Sequence, residues 1–61
     1  MIDIERLRED LMNFFGTAKE NNPTAVIELY NVEHAGINQL INIAENNGFN
    51  IDNYIEYQIY G

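Results

Sequence analysis

The stretch DIERLREDLMNFFGTA, residues 3–18, decides how this chain folds. Ile4, Leu7, Leu11, Phe14, Phe15 and Ala18 recur at intervals of three and four, the repeat of one face of an α-helix. Asp3 stands ahead of the run, where its carboxylate can accept from the free amides of the first turn, and Glu5 puts negative charge at the positive end of the helix dipole. Arg6 and Asp10 are spaced for an i,i+4 ion pair. Gly16 leaves the register intact, because the stripe continues from Phe15 to Ala18 and one interior glycine costs only about 1 kcal/mol relative to alanine. The helix is therefore expected to reach about Glu20, with Gly16 marking either the close approach of another helix or a bend.

Outward from that helix, Asn21-Asn22-Pro23 is the clearest boundary. Asn22 is suited to cap a second helix and Pro23 to occupy its first position, where a missing amide hydrogen costs nothing. Val26, Ile27 and Tyr30 supply the expected core face, with Leu29 beside it and Glu28 turned away, so the helix is expected to end near Tyr30 or Asn31. Such a short helix must dock to persist. Asn31 to Gly36 lacks a sustained period and reads as a connector with Val32 or Ala35 tucked inward, and Gly36 is placed to cap the next helix. Ile37, Leu40, Ile41 and Ala44 then form one face of a third helix, Ile43 lies at its edge, and Asn38, Gln39, Asn42 and Glu45 cover the other side. Asn46-Asn47-Gly48-Phe49 carries a helix-stop pattern in which Asn47 or Gly48 turns left-handed and Phe49 folds back into the core.

The last segment admits two readings. Asn50 can cap a helix from Ile51 to about Glu56, followed by a frayed or crossing tail; alternatively Ile55, Tyr57 and Ile59 alternate as in a strand. No partner strand is evident, which favours the helix. The expectation is a single all-α acidic domain over residues 1–61, a compact bundle of three or four helices with a frayed C-terminal tail.

Length and composition bound the function. In 61 residues, burial and chain ordering nearly cancel, leaving little room for a private active site. Hydrophobic residues make up 46% of the chain, enough for a core, and the absence of cysteine removes disulfides, thiol chemistry and cysteine-based zinc sites. No segment approaches a membrane span and residues 1–10 have no signal-peptide pattern, so a cytoplasmic location is expected. Ten acidic residues against three basic ones give a net charge of −7. Arg6, Arg8 and Lys19 are isolated among acids, which argues against direct nucleic-acid binding and for a basic partner if charge steers one.

The search for chemistry returns little. His34 reads as a solvent-facing loop residue, and no second histidine supplies a zinc set. Glu5 with Glu9, and Asp52 with Glu56, would share helix faces at i,i+4, better explained as solvated surface than as cation sites. Aligning Gly48 with the glycine of a calcium loop puts Ile43 and Tyr54 at ligand positions, which rejects that motif. There is no serine, no nucleotide-binding glycine cluster and no base spaced for Thr17 or Thr24. No catalytic, cofactor or metal residue is assigned.

Tyr54, Tyr57 and Tyr60 recur every three residues and would gather on one side of a continued helix. With Glu5 and Glu9 they form the candidate interaction residues, the acids attracting a basic or amphipathic partner and the tyrosines supplying contact area. Leu40 to Asn50, LINIAENNGFN, resembles the leucine, alanine and glycine-phenylalanine pattern near the end of Nif11-like domains, small bacterial helical domains often found as leaders of ribosomally made, modified peptides. Leu7, Leu11, Phe14 and Phe15 are similar to that family's first amphipathic helix. The resemblance implies recognition by another protein and, without a double-glycine processing site, a free-standing interaction domain. The expected role is a small acidic protein-interaction or regulatory domain, self-association included. The alternatives are an acidic nucleic-acid mimic and a subunit of an oligomeric metal-assisted hydrolase.

Overall fold

The computed structural model describes residues 1–56, and the order of elements is α1 (Ile4–Ala18), α2 (Thr24–His34), α3 (Ile37–Asn46) and a 3₁₀ turn (Ile51–Tyr54). The domain is all-α, as the periodicity requires. Asp3 caps α1 through a hydrogen bond accepted from the Arg6 amide at 3.1 Å. The helix runs through Gly16 and stops at Ala18, two residues short of the expected end. Close approach does not explain Gly16, because a Cβ built there meets nothing within 4 Å. Arg6 and Asp10 are both turned toward Tyr54: the guanidinium lies 5.1 Å from the ring centroid, and the Asp10 carboxylate accepts from the Tyr54 hydroxyl at 2.6 Å.

The start of α2 comes one residue later than expected: Pro23 takes the cap position in helical conformation and Thr24 is the first helical residue, while Asn22 Oδ1 accepts from the Thr24 amide at 3.1 Å. Its length and facing differ from expectation. The helix continues to His34, so only Ala35 and Gly36 connect it to α3, although Val32 and Ala35 are both buried as expected. The core face of α2 is Ala25, Leu29 and Val32, spaced i, i+4, i+7, whereas Val26, Ile27 and Tyr30 point outward. Both sets satisfy helical spacing. Extension to Val32 selects the first, and the small Ala25 side chain suits the face α2 packs on α1.

Helix α3 buries Leu40 and Ala44, half-buries Ile41 and Ile43, and leaves Ile37 exposed at its first position, contrary to the expected face. Its end is a Schellman motif: Gly48 has φ +82°, the Phe49 amide donates to Ala44 O at 2.9 Å and the Gly48 amide to Glu45 O at 3.1 Å. Phe49 is half-buried at the edge of the core and packs edge-on to Phe14, ring centroids 5.4 Å apart.

The final segment combines parts of both readings. Asn50 Oδ1 accepts from the Asp52 amide at 3.0 Å and begins a single 3₁₀ turn that ends at Tyr54, shorter than the expected helix. Ile55 is then extended and forms an antiparallel bridge with Ile2. The Asp3 amide donates to Tyr54 O and the Glu56 amide to Met1 O, each at 2.7 Å. The missing strand partner is therefore the residue pair ahead of α1, and the expected tail beyond Glu56 lies outside the described residues.

Leu7, Leu11, Leu40 and Val32 are the largest fully buried side chains, and Phe15 and Tyr54 join them. Each aliphatic side chain contributes roughly 1.5–3 kcal/mol by leaving water.

Candidate interaction surface

Of the sequence-derived interaction residues that fall among the described residues, Tyr54 is buried and Glu5 and Glu9 are exposed. Tyr54 is 7% exposed, inside the core, with its hydroxyl on Asp10 and its ring under Arg6. Burial first, then the hydrogen bond and charge of Asp10, push its hydroxyl above the ordinary value of 10.0, with Arg6 opposing. It is therefore a structural side chain. Tyr57 and Tyr60 lie outside the described residues. Glu5 and Glu9 are exposed one turn apart on α1.

The exposed apolar side chains lie elsewhere. Val26, Ile27 and Tyr30 are 55%, 61% and 64% exposed, against 2% for Ala25 and none for Val32 on the same helix. Val26, Tyr30 and His34 succeed one another at i,i+4, and the Tyr30 and His34 rings are packed with centroids 4.4 Å apart. Ile37, 58% exposed, stands just beyond the two-residue connector. Glu33 is exposed along one edge of this stripe, and its centre carries no carboxylate. His34 is exposed, as expected, but sits in the last turn of α2 instead of a loop.

The stripe is held outward by the other side of the helix. Ala25, Leu29 and Val32 fix the rotation of α2 on α1, and Arg8 fixes its end. Arg8 Nη1 donates to the carbonyls of Val32, Glu33 and Ala35 at 2.7, 3.3 and 3.0 Å. A cation at the carboxyl end of a helix satisfies carbonyls that have no partner within it and opposes the dipole. Sequence inspection misses this role because Arg8 and its acceptors are more than twenty residues apart.

Chemically the surface offers apolar area, one phenol and one imidazole. An aromatic side chain with a polar tip among aliphatic neighbours suits a protein contact. Comparison with protein-family models, curated proteins and solved structures returned no match.

Proposed function

We propose that this chain is a small acidic protein-interaction or regulatory domain that meets its partner through the outer face of α2. The observation that carries the reading is the stripe of Val26, Ile27 and Tyr30, each more than half exposed on a helix whose other face packs into the core. Three large apolar side chains on one short helix exceed the scattered exposure of an ordinary surface. The net charge of −7 favours a basic partner over nucleic acid, and the resemblance to Nif11-like domains points the same way, toward recognition by another protein. No described helix is long and apolar enough to cross a membrane, and we place the interaction in the cytoplasm.

Ile27→Glu and Tyr30→Ala test the surface. Both side chains project from the core, so the circular-dichroism spectrum and thermal midpoint should change little. Capture of a defined partner from the source cell, followed by titration with that purified partner, should weaken about tenfold or more in either variant. Equal affinity of the variants and the parent protein would remove the α2 face from the interaction. The intact mass of the recovered complex separates a hetero-complex from self-association.

A further inference from the structure

A second surface lies on a different flank of α2, lined by Thr24, Ala25 and Glu28 instead of Val26, Ile27 and Tyr30. It is an open groove of about 500 Å³ where the end of α1, the start of α2 and the end of α3 meet. Phe14, Ala18, Ala25 and Ile43 give it apolar walls. Phe14 packs edge to face with Phe15 at 5.1 Å and with Phe49 at 5.4 Å, yet remains 44% exposed. Glu28 is the sole ionisable side chain among the described lining residues.

The remaining polar lining, Asn22, Thr24, Asn46 and Asn47, offers acceptors beside its donors. Asn47 uses its side-chain amide to donate to Ile43 O at 2.8 Å, which leaves its carbonyl oxygen to offer. Asn22 Oδ1 accepts from the Thr24 amide and retains a second lone pair. One carboxylate, side-chain carbonyl oxygens and an aromatic wall together match a guanidinium, which carries five donors, no acceptor and a flat face that stacks on rings.

We propose that this groove is an arginine subsite for a basic peptide, with the guanidinium paired to Glu28 and the methylene stem lying along Phe14 and Ile43. Long cationic side chains bury their stems against apolar surface while the charged head stays at a polar rim. A second copy of this chain is a poor donor for the site. Arg8 donates to the carbonyls at the end of α2 and Arg6 lies over the Tyr54 ring, so both arginines of a second copy already hold contacts of their own, which favours an arginine from a different molecule.

The test is a nuclear magnetic resonance titration of the full chain at low salt with Nα-acetyl-arginine methylamide, and in parallel with its citrulline counterpart, nearly identical in shape but uncharged. Arginine should shift the amides of Phe14, Ala18, Ala25, Ile43 and Asn46 as one group. Citrulline on the parent protein, and arginine on Glu28→Gln, should each bind about fivefold more weakly, the loss of one partly exposed ion pair. Equal binding of arginine and citrulline would overturn the proposal, as would shifts spread over Glu5, Glu9 and Glu33. The citrulline arm requires no variant, so the outcome does not depend on how Glu28→Gln folds. Because the groove and the outer face of α2 are read from separate amides, failure of one leaves the other standing.

Discussion

Tyr54 shows how a single residue draws distant parts of this chain together. Its backbone carbonyl accepts from Asp3, its hydroxyl donates to Asp10 and its ring lies beneath Arg6, so one buried residue ties the 3₁₀ turn to the cap and first two turns of α1. The raised hydroxyl value has a consequence for stability. Below pH 10 the group is protonated in both folded and unfolded chains and its contribution is complete. As pH rises past 10 the unfolded chain releases this proton first, so the folded state binds more protons than the unfolded state and stability falls until the folded group also ionises. Urea unfolding between pH 9 and 11.5 should therefore show an alkaline loss that is smaller in Tyr54→Phe. At neutral pH the same variant should be about 1 kcal/mol less stable, the net value of the lost hydrogen bond. Parallel alkaline profiles for the two proteins would mean that the Tyr54 hydroxyl is not the group responsible.

Among the elements, α1 contains the simplest opportunity for stabilisation. Gly16 sits inside a continuous helix, has no positive φ and leaves open space where a Cβ would stand. Gly16→Ala should accordingly raise unfolding stability by about 1 kcal/mol through reduced freedom of the unfolded chain, measured by urea denaturation. A loss would reveal a close neighbour that the open space excludes. The features readable in the sequence are those whose cause is local: Asp3 ahead of α1, Asn22-Pro23 ahead of α2, and Gly48-Phe49 after α3 each act within five residues. The rotation and end of α2 were not readable in this way. Val26-Ile27-Tyr30 and Ala25-Leu29-Val32 have equally good helical spacing, and the choice between them is made by α1, with Arg8 securing the carbonyls that extend the helix to His34. The exposed stripe of α2 was unreadable for the same reason. Tyr54, a candidate contact residue, is buried, while the residues expected to bury α2 form its exposed face. The bridge between Ile2 and Ile55 spans nearly the whole chain and has no local signature in either residue.

At the scale of the whole molecule, the charge of −7 acts on stability and recognition in opposite directions. Arg8 is directed at helix carbonyls and Arg6 at an aromatic ring, so these two cations do more to hold backbone and core together than to pair off the ten acids. The remaining carboxylates repel one another in the compact state. At 10 mM salt that repulsion reaches across the domain, with a screening length of about 30 Å; at 150 mM it falls to about 8 Å. The thermal midpoint of the free protein should rise by about 3 °C over that interval, equally in sodium and potassium chloride, corresponding to somewhat under 1 kcal/mol for a chain of this size. Binding of a basic peptide should respond oppositely, because the field that strains the free protein also accelerates encounter and supports the Glu28 ion pair. Stopped-flow association measured over the same salt series should slow several-fold while the midpoint climbs. A midpoint that falls with salt would show attraction by the three cations outweighing acidic repulsion, and a salt-independent association rate would leave apolar contact at α2 as the driving interaction.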